Sequence, residues 1–383
     1  MRIALTGALL VLANVAPTRQ AQAQATPYDV VITGGRILDG TGNPWRYADV
    51  GVRDGRIVAV GRLQGDTAAR VIDASGKVVT PGFVDIHSHA DDPNYGPRGL
   101  RSSDVRRRAA PNLVMQGITT VVVNQDGRSP VAIGGQKAEL ERLGIGLNAA
   151  LMVGHGSVRG EVMGDDFRRA ATAAEVSRMR ALVRRGMEDG AWGLSAGLEY
   201  VPGRWSTTDE VVALVEEIEP HGGVYISHER SEGADPMWYW PSQHVGRPPS
   251  LIDAVRETIE IGERTGATVV ASHIKAKGAN YWGASAVVIR LIEDARSRGV
   301  SVYADQYPYN TTGSDGRTVL IPNWVWGSER PSTRNFTGAL RRVLANDSLA
   351  AMLRTDIAHE IQRRGGADNV VVMEYPNADV VGR

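Results

Sequence analysis

The stretch Val78-Val79-Thr80-Pro81-Gly82-Phe83-Val84-Asp85-Ile86-His87-Ser88-His89 decides how the rest of the chain is interpreted. It begins as an apolar, β-branched run, which is typical of a buried strand, and it ends in two histidines one residue apart. Successive side chains of a strand point to opposite faces, so His87 and His89 share a face at the carboxyl end. Imidazole is the commonest protein ligand for zinc and similar metals. An isolated His-x-His pair is more often two unrelated histidines, so the surrounding sequence has to decide.

The composition describes a globular protein with no global charge. The chain has 383 residues, enough for one large domain or two modest ones, and 42% of them are apolar. Lys+Arg and Asp+Glu number 43 each, which gives no indication of nucleic acid or an anionic membrane as a partner. There is no cysteine, so disulfides and thiolate metal ligands are excluded.

Residues 1–25 have the pattern of a signal peptide. A short basic region, Met1-Arg2, precedes an apolar run over residues 3–16, and the Ala-rich tail offers A-x-A cleavage sites after Ala23 or Ala25. The apolar run is too short to span a bilayer comfortably, which disfavours the alternative of an uncleaved membrane anchor. We therefore expect export, to a bacterial periplasm, and a mature chain that starts near Thr26.

Residues 26–80 predict a small β-sandwich portion. Asp54-Gly55 lies between two strand-like runs and predicts a hairpin. Gly34-Gly35 is expected to end the first strand. The predicted strands cover residues 28–33, 36–40, 48–52, 71–73 and 77–79.

From Pro81 onward the pattern alternates between strands and amphipathic helices, which predicts a parallel sheet covered by helices. Seven such repeats indicate a (β/α)₈ barrel over residues 81–383 whose last strand is missing or hidden. An open doubly wound sheet is the alternative, but no Gly-rich phosphate loop opens any helix. The predicted strands are 83–87, 119–123, 146–153, 191–195, 223–227, 267–272 and 301–304, and the main predicted helices are 174–189, 208–220, 251–265 and 286–298.

Five of the eight histidines lie at or just after the carboxyl end of a predicted strand, where the chemistry of a barrel belongs. These five are His87, His89, His155, His228 and His273. The other three, His221, His244 and His359, fall in predicted helices or loops and are expected to be exposed or locally hydrogen-bonded.

A divalent metal site can be assembled from these strand ends without sulfur. His228 and His273 follow strands five and six, His87 and His89 follow strand one, and Asp126 after strand two could bridge two ions. Nitrogen and carboxylate ligands with an open position describe a catalytic zinc site, which activates water and polarises a carbonyl. The sequence therefore predicts one or two Zn²⁺ ions, or another divalent metal, and hydrolysis of an amide.

At this point the chain resembles the amidohydrolase superfamily, and within it the N-acyl-D-amino-acid deacylases (D-aminoacylases). The similar segments occur in the expected order over nearly the whole of residues 26–383. They are YDVVITGGRILDGTGNP, VVTPGFVDIHSH, GITTVVV, MVGHGSVRG, GLSAGLEYVPG, YISHERSEG, ASHIKAKG and DQYPYN.

The resemblance implies roles for several residues. His87 and His89 are similar to the first-strand metal ligands, and His228 and His273 to the ligands of the more tightly held ion. Lys275 is similar to a lysine that pairs with the free carboxylate of the substrate, and Tyr307 to a tyrosine that assists it. An ammonium and a phenol at neighbouring strand ends could hold a carboxylate. Arg230 could hold that carboxylate instead.

Two departures from the family pattern affect the site. Asp126 stands where the deacylases have a cysteine ligand, so it could bridge, bind one ion, or support a ligand from outside. The aspartate that the family uses for proton transfer, at the end of strand eight, has no match in the right place. Asp315 follows strand seven too closely, and Asp379 lacks the motif. We therefore expect a C-terminally truncated chain whose catalytic aspartate lies beyond Arg383.

The sequence leaves three functions open. The first is hydrolysis of an N-acyl-D-amino acid to a carboxylate and a D-amino acid, with the stereochemistry resting on the resemblance. The second is a D-specific dipeptidase or a cyclic-amide hydrolase, although the latter commonly carry a lysine on strand four that is absent from residues 191–195. The third is a non-catalytic binding protein on a degenerate scaffold. The aromatic loop over residues 233–247 either shapes specificity or is a surface anchor.

Overall fold

The computed structural model describes residues 28–63, 68–91, 99–313, 320–327, 336–373 and 377–382. It divides the chain into two compact units, Met1–Pro81 and Gly82–Arg383. The predicted signal peptide and Asp315 lie outside the described residues.

The first unit forms one mixed five-stranded sheet. β2 and β3 pair antiparallel, and the turn between them has Asp54 and Gly55 at φ 51° and 69°, as the predicted hairpin requires. The order is β3-β2-β1-β4, with β5 also paired to β1. The strands are β1 (Tyr28–Ile37), β2 (Arg46–Arg53), β3 (Arg56–Gly61), β4 (Ala68–Asp73) and β5 (Val78–Val79).

The prediction that Gly34-Gly35 ends the first strand is wrong. β1 continues to Ile37, and its pairing with β2 shifts register between Ile32 and Gly35. Gly34 has φ +70°, a backbone conformation that glycine adopts without steric cost. The two glycines therefore form a β-bulge inside one strand rather than a boundary between two.

The second unit contains seven consecutive parallel strand positions that alternate with helices. β6, β7 and β8 form one sheet in that order, and β9 to β13 form a second sheet in chain order. The third strand position is interrupted at Met152, where β8 pairs with β7 and β9 pairs with β10. The strands are β6 (Phe83–Asp85), β7 (Ile118–Val123), β8 (Asn148–Leu151), β9 (Val153–Gly154), β10 (Gly193–Gly197), β11 (Val224–His228), β12 (Thr268–Ala271) and β13 (Val302–Ala304).

Local sequence signals fix the helix ends. Ser250 and Asp253 form a capping box at the start of α7, and Gly266 at φ +74° ends it, so α7 has the predicted bounds. None of the helices in the described part of the chain is long and apolar enough to cross a membrane. The α-helices in this part are α1 (Val105–Arg108), α2 (Pro111–Val114), α3 (Ile133–Leu143), α4 (His155–Met163), α5 (Ala173–Glu188), α6 (Thr208–Val215), α7 (Leu251–Thr265), α8 (Ser285–Ser297), α9 (Phe336–Leu344) and α10 (Asp347–Arg363).

The core of the second unit follows the two-residue period of its strands. Tyr225 and Val269 belong to the main core, which they share with helix residues such as Val183 and Val255. The residues that alternate with them point to the other face, where Met152, Ile226 and Val270 form a separate small cluster. β11 and β12 are thus apolar on both faces, as a parallel sheet covered by helices requires.

β6 and α6 end before their predicted last residues. β6 ends at Asp85, because the Asp85 carboxylate accepts the backbone N–H of His87 at 3.1 Å and turns the chain there. α6 ends at Val215, and a separate 3₁₀ helix follows at Glu219–His221. Pro220 lacks the N–H that a continuous helix would need at that point.

Candidate metal centre

Five predicted ligands converge at the carboxyl edge of the parallel strands. His87 and His89 follow β6, Asp126 follows β7, and His228 is the last residue of β11. His273 lies two residues after β12. Because the strands are parallel, their carboxyl ends meet at one edge, and side chains distant in sequence reach the same point.

Asp126 lies at the centre of the cluster and uses both carboxylate oxygens. Its Oδ1 lies 3.4 Å from His87 Nε2, 3.5 Å from His228 Nδ1 and 3.6 Å from His273 Nε2. Its Oδ2 lies 3.4 Å from His89 Nε2. His228 Nδ1 and His273 Nε2 are 2.9 Å apart. One carboxylate therefore separates a His228–His273 pair from a His87–His89 pair.

The backbone at two of these positions is left-handed. Asp126 has φ +58° and His273 has φ +39°, while Asn124 and Gly127 flank Asp126 at +68° and +75°. Asparagine, aspartate and histidine are enriched among the non-glycine residues found in this region. The turn after β7 therefore suits a short polar side chain, and it aims the carboxylate of Asp126 at the histidines.

The histidines keep Asp126 ionised. Burial opposes the charge, but His228, His273, His87 and His89 together outweigh it and hold the pKa of the Asp126 carboxyl well below its usual range. A carboxylate that stays charged within a ring of imidazoles can attract a cation.

The pKa values of the two buried histidines, His228 and His273, are shifted in opposite directions. Burial works against protonation of His228, but Glu232, Asp126 and Glu199 outweigh it and raise its pKa to about 10. Burial and the neighbouring charges of His228 and Lys275 lower the pKa of His273 to about 4. With no cation bound and at a pH between these two values, His228 is therefore the protonated member of the pair and His273 the neutral one.

The donor set fits a divalent metal ion. His87 Nε2 and Asp126 Oδ1 are buried, and among the described residues neither atom has a hydrogen-bond partner. In each of two groups, His87–His89–Asp126 and Asp126–His228–His273, the ligand atoms lie within 4.8 Å of one another. Buried polar atoms are normally satisfied, so unpartnered imidazole and carboxylate atoms that converge indicate a cation position.

Three of the five ligands have a second polar group beside the ring nitrogen that faces away from Asp126. His228 Nε2 lies 3.2 Å from Glu199 Oε2, and His273 Nδ1 lies 3.4 Å from Glu232 Oε1. His87 Nδ1 lies 2.6 Å from Ser272 Oγ. Such contacts fix the tautomer and the ring orientation of a metal ligand.

The sequence analysis assigned no role to Glu199, Glu232 or Ser272. Glu232 lies four residues after His228, and Ser272 directly precedes His273. Both glutamates are nearly fully buried. Their proximity to the strand ends was the only available signal, because burial of a charged residue depends on tertiary structure.

The predicted carboxylate-binding residues lie beside the cluster. Lys275 contacts Glu232, and its Nζ is 2.9 Å from His273 Nδ1 and 5.7 Å from the ring centroid of Tyr307. Lys277 Nζ is 3.5 Å from the other Glu232 oxygen. Burial opposes the charge of Glu232, but the surrounding cations, His228 and Lys275 foremost, lower its pKa. The ammonium groups of Lys275 and Lys277 and the carboxylate of Glu232 together carry one net positive charge.

The side chains of Arg230 and Asp379 lie outside the cluster of five ligands. The Arg230 guanidinium donates to both Glu257 oxygens, at 2.8 and 2.7 Å, in a bidentate pair. Asp379 lies exposed in the 3₁₀ helix Ala378–Val380, where its backbone N–H donates to Asn377. The structure therefore does not bring either side chain into the cluster of five ligands.

The fifth strand-end histidine, His155, is structural. Its side chain is fully buried, and its Nε2 lies 2.9 Å from Glu210 Oε1. The other Glu210 oxygen contacts the buried Arg159. His244 contacts the Trp240 backbone, which is the local partner that was expected. His359 instead lies 3.5 Å from Asp235, in a distant segment of the chain.

The aromatic loop is connected to the metal centre. Met237 donates its backbone N–H to Glu199 Oε1 at 2.6 Å, and the other oxygen of that carboxylate faces His228. The loop is also tied to α10, through Asp235 to Arg363 and Ser242 to Asp356.

Comparison with known proteins identifies the family. A sequence profile described as the amidohydrolase family matches residues 70–217 of this chain. A D-aminoacylase from Alcaligenes xylosoxydans xylosoxydans is 36% identical over 312 residues, which are 76% of this chain and 59% of that protein. A solved N-acyl-D-glutamate deacylase from Bordetella bronchiseptica is 31% identical, with a TM-score of 0.66, over 86% of this chain and 70% of its own. The chain belongs to the D-aminoacylase family of amidohydrolases.

The solved members of the D-aminoacylase family confirm the predicted hydrolase fold class. One D-aminoacylase structure, described with a binuclear metal center, has 35% identity and a TM-score of 0.65 over 77% of this chain. The Bordetella bronchiseptica deacylase was solved with zinc and a phosphonate inhibitor that mimics the tetrahedral intermediate of its reaction. The present chain spans about 59% of the length of the Alcaligenes D-aminoacylase and N-acyl-D-glutamate deacylase that it matches.

Proposed function

We propose that this protein hydrolyses an N-acyl-D-amino acid to a carboxylate and a D-amino acid, with one or two bound divalent ions, zinc first among them. The observation that carries the proposal is the partly buried carboxylate of Asp126 beside two histidine pairs, with converging atoms that lack hydrogen-bond partners within the described part of the chain. The D-aminoacylase, N-acyl-D-glutamate deacylase and N-acyl-D-aspartate deacylase among its relatives support this substrate class.

His228, His273 and Asp126 would hold one ion, and His87, His89 and Asp126 the other. A divalent ion bound there polarises an amide carbonyl and lowers the pKa of water. Once the proton of His228 is displaced, the protein presents imidazole lone pairs and one fixed negative charge, and Glu199, Glu232 and Ser272 support the ligands.

Lys275 and Tyr307 would hold the free carboxylate of the substrate. Lys275 and Lys277 together carry one positive charge more than the one negative charge of Glu232, so their ammonium groups can still attract an incoming carboxylate. Arg230 is less suited, because its planar guanidinium is already matched by Glu257.

We also propose that the protein is exported, to the periplasm of a bacterium. The support is the sequence pattern of residues 1–25. Cell fractionation followed by N-terminal sequencing tests this proposal. A mature chain that starts near Thr26 in the periplasmic fraction is expected, and an intact N-terminus in the cytoplasm would refute it.

The experiment for the function compares His89→Ala with His221→Ala, a matched loss of a histidine in the 3₁₀ helix Glu219–His221. The protein, loaded with zinc, is assayed on N-acetyl-D- and N-acetyl-L-amino acids, and bound zinc is measured by mass spectrometry. We expect turnover of the D series, at least tenfold loss in His89→Ala and no loss in His221→Ala. Zinc binding without turnover would instead favour a binding protein, and turnover of dipeptides alone would favour a dipeptidase.

A further inference from the structure

His87 has two ring nitrogens in different surroundings. Its Nε2 is buried, faces Asp126 Oδ1 at 3.4 Å and has no hydrogen-bond partner among the described residues. Its Nδ1 lies 2.6 Å from the hydroxyl oxygen of Ser272. A neutral imidazole carries one proton, so the partner of Nδ1 determines whether Nε2 offers a lone pair to a metal ion.

Ser272 has only one proton to donate, and the structure indicates where it goes. Its Oγ lies 2.9 and 2.8 Å from the two carboxylate oxygens of Asp305. A carboxylate can only accept, so the Ser272 hydroxyl donates to Asp305 and turns its lone pair toward His87. His87 Nδ1 must then carry the proton, and Nε2 is left as the free ligand atom.

Asp305 supports the second histidine pair at the same time. Its Oδ1 also accepts the backbone N–H of His273, whose φ of +39° is unusual for a residue with a side chain. Ile274 N–H donates to the Asp305 backbone carbonyl at 3.0 Å. One carboxylate after β13 thus restrains the turn that carries His273 and, through Ser272, the tautomer of His87.

We propose that Ser272 and Asp305 are positioning residues that set the His87 tautomer required for metal binding at the His87–His89 position. The proposal rests on the proposed function only in taking that position to be a metal site. The assigned direction of the hydrogen bonds, from His87 Nδ1–H to Ser272 and from Ser272 to Asp305, is a property of this chain with or without an ion.

The variant Asp305→Asn tests the direction of these bonds. Its amide oxygen would keep the bond from the His273 backbone, which places the NH₂ group where the second carboxylate oxygen lay 2.8 Å from Ser272 Oγ. The NH₂ donates to Oγ and leaves the Ser272 proton one acceptor at residue 305 instead of two, so the share of molecules in which Ser272 donates to His87 Nδ1, and His87 carries its proton on Nε2, should rise. Ser272→Ala only removes the partner of Nδ1. Ser227→Ala is the matched control. Ser227 directly precedes His228, as Ser272 directly precedes His273, but the Ser227 hydroxyl contacts Tyr225.

Two readouts are needed, and neither depends on catalysis. Long-range ¹H–¹⁵N NMR of histidine-labelled, metal-free protein reports the tautomer of His87, at a pH of about 8, above the usual histidine pKa of about 6.5. Zinc titration against a chelating indicator reports the two affinities. We expect His87 Nδ1–H in the wild type and in Ser227→Ala, and a larger fraction of Nε2–H in Asp305→Asn. The weaker zinc affinity should fall about 10- to 100-fold in Asp305→Asn and Ser272→Ala, as for other partners of metal ligands.

An Nε2–H tautomer in the wild type, or unchanged affinities in both variants, would overturn the proposal. If Asp305→Asn fails to fold, Ser272→Ala and the wild-type tautomer still decide it. If the wild type binds no zinc, the proposed function fails, and the tautomer measured without metal still tests the assignment of Ser272 and Asp305.

Discussion

Replacing Lys275 by methionine should weaken hydrolysis only for substrates that carry a free carboxylate. The Lys275 ammonium lies between Glu232 and the ring of Tyr307, and its side chain is 12% exposed. A hydrogen bond to a charged group contributes about 1.5–3 kcal/mol. Because about 1.36 kcal/mol corresponds to tenfold in rate, kcat/KM should fall about 10- to 150-fold.

The assay compares an N-acetyl-D-amino acid with its carboxamide, which keeps the scissile bond and lacks the charge. The methionine variant should lose little on the carboxamide. Lys277→Met serves as a control, because it removes the same charge next to Glu232 but not the group beside Tyr307. We expect it to cost at most a few-fold. Equal losses of Lys275→Met on both substrates, or an equal effect of Lys277→Met, would refute the assignment of Lys275 to the carboxylate.

Two further predictions concern buried charges. Glu210→Gln leaves the fully buried Arg159 without its counter-charge, so the free energy of unfolding in urea should fall by about 3–5 kcal/mol. Asp209→Asn is the control, because its partner Arg264 is surface-exposed. The control should lose at most about 1 kcal/mol. A Glu210→Gln loss as small as that of the surface pair would contradict the argument from burial. The pKa of His228 is about 10 in the folded state, above its unfolded value of about 6.5. Its proton therefore stabilises the metal-free fold fully below pH about 6.5, and this contribution disappears as the pH rises through about 10. The zinc ion that His228 binds must displace that proton. Calorimetry in buffers of different ionisation enthalpy should therefore show about one proton released near pH 8 when that ion binds, and a value near zero would contradict the raised pKa.

The elements that the sequence predicted well are those with local signals. α7 has the predicted bounds, because Ser250 and Gly266 mark its ends and apolar residues recur with a helical period between them. The seven parallel strand positions were found for the same reason, since each is a short apolar run between turns. Gly34-Gly35 misled the prediction, because a glycine pair indicates a turn and a bulge equally well.

The candidate site was predictable to the extent that topology determines it. Parallel strands bring their carboxyl ends together, so His87, Asp126 and His273 could be placed at one point from their positions alone. The same rule could not separate His155 from the others, because its partner Glu210 lies 55 residues further along the chain. Nor could it assign Ser272, whose role depends on the direction of a hydroxyl bond.

Glu199 has a consequence for anyone who wishes to change the substrate range by loop exchange. Its two oxygens connect His228 with the backbone of Met237 in the aromatic loop, so the loop is one of the supports of a metal ligand. A grafted loop that does not return a backbone N–H to this carboxylate would leave Glu199 free to rotate, and zinc retention would fall together with the old specificity. Selection of loop libraries should therefore score metal content before activity, with the residues that flank Met237 kept at their natural length.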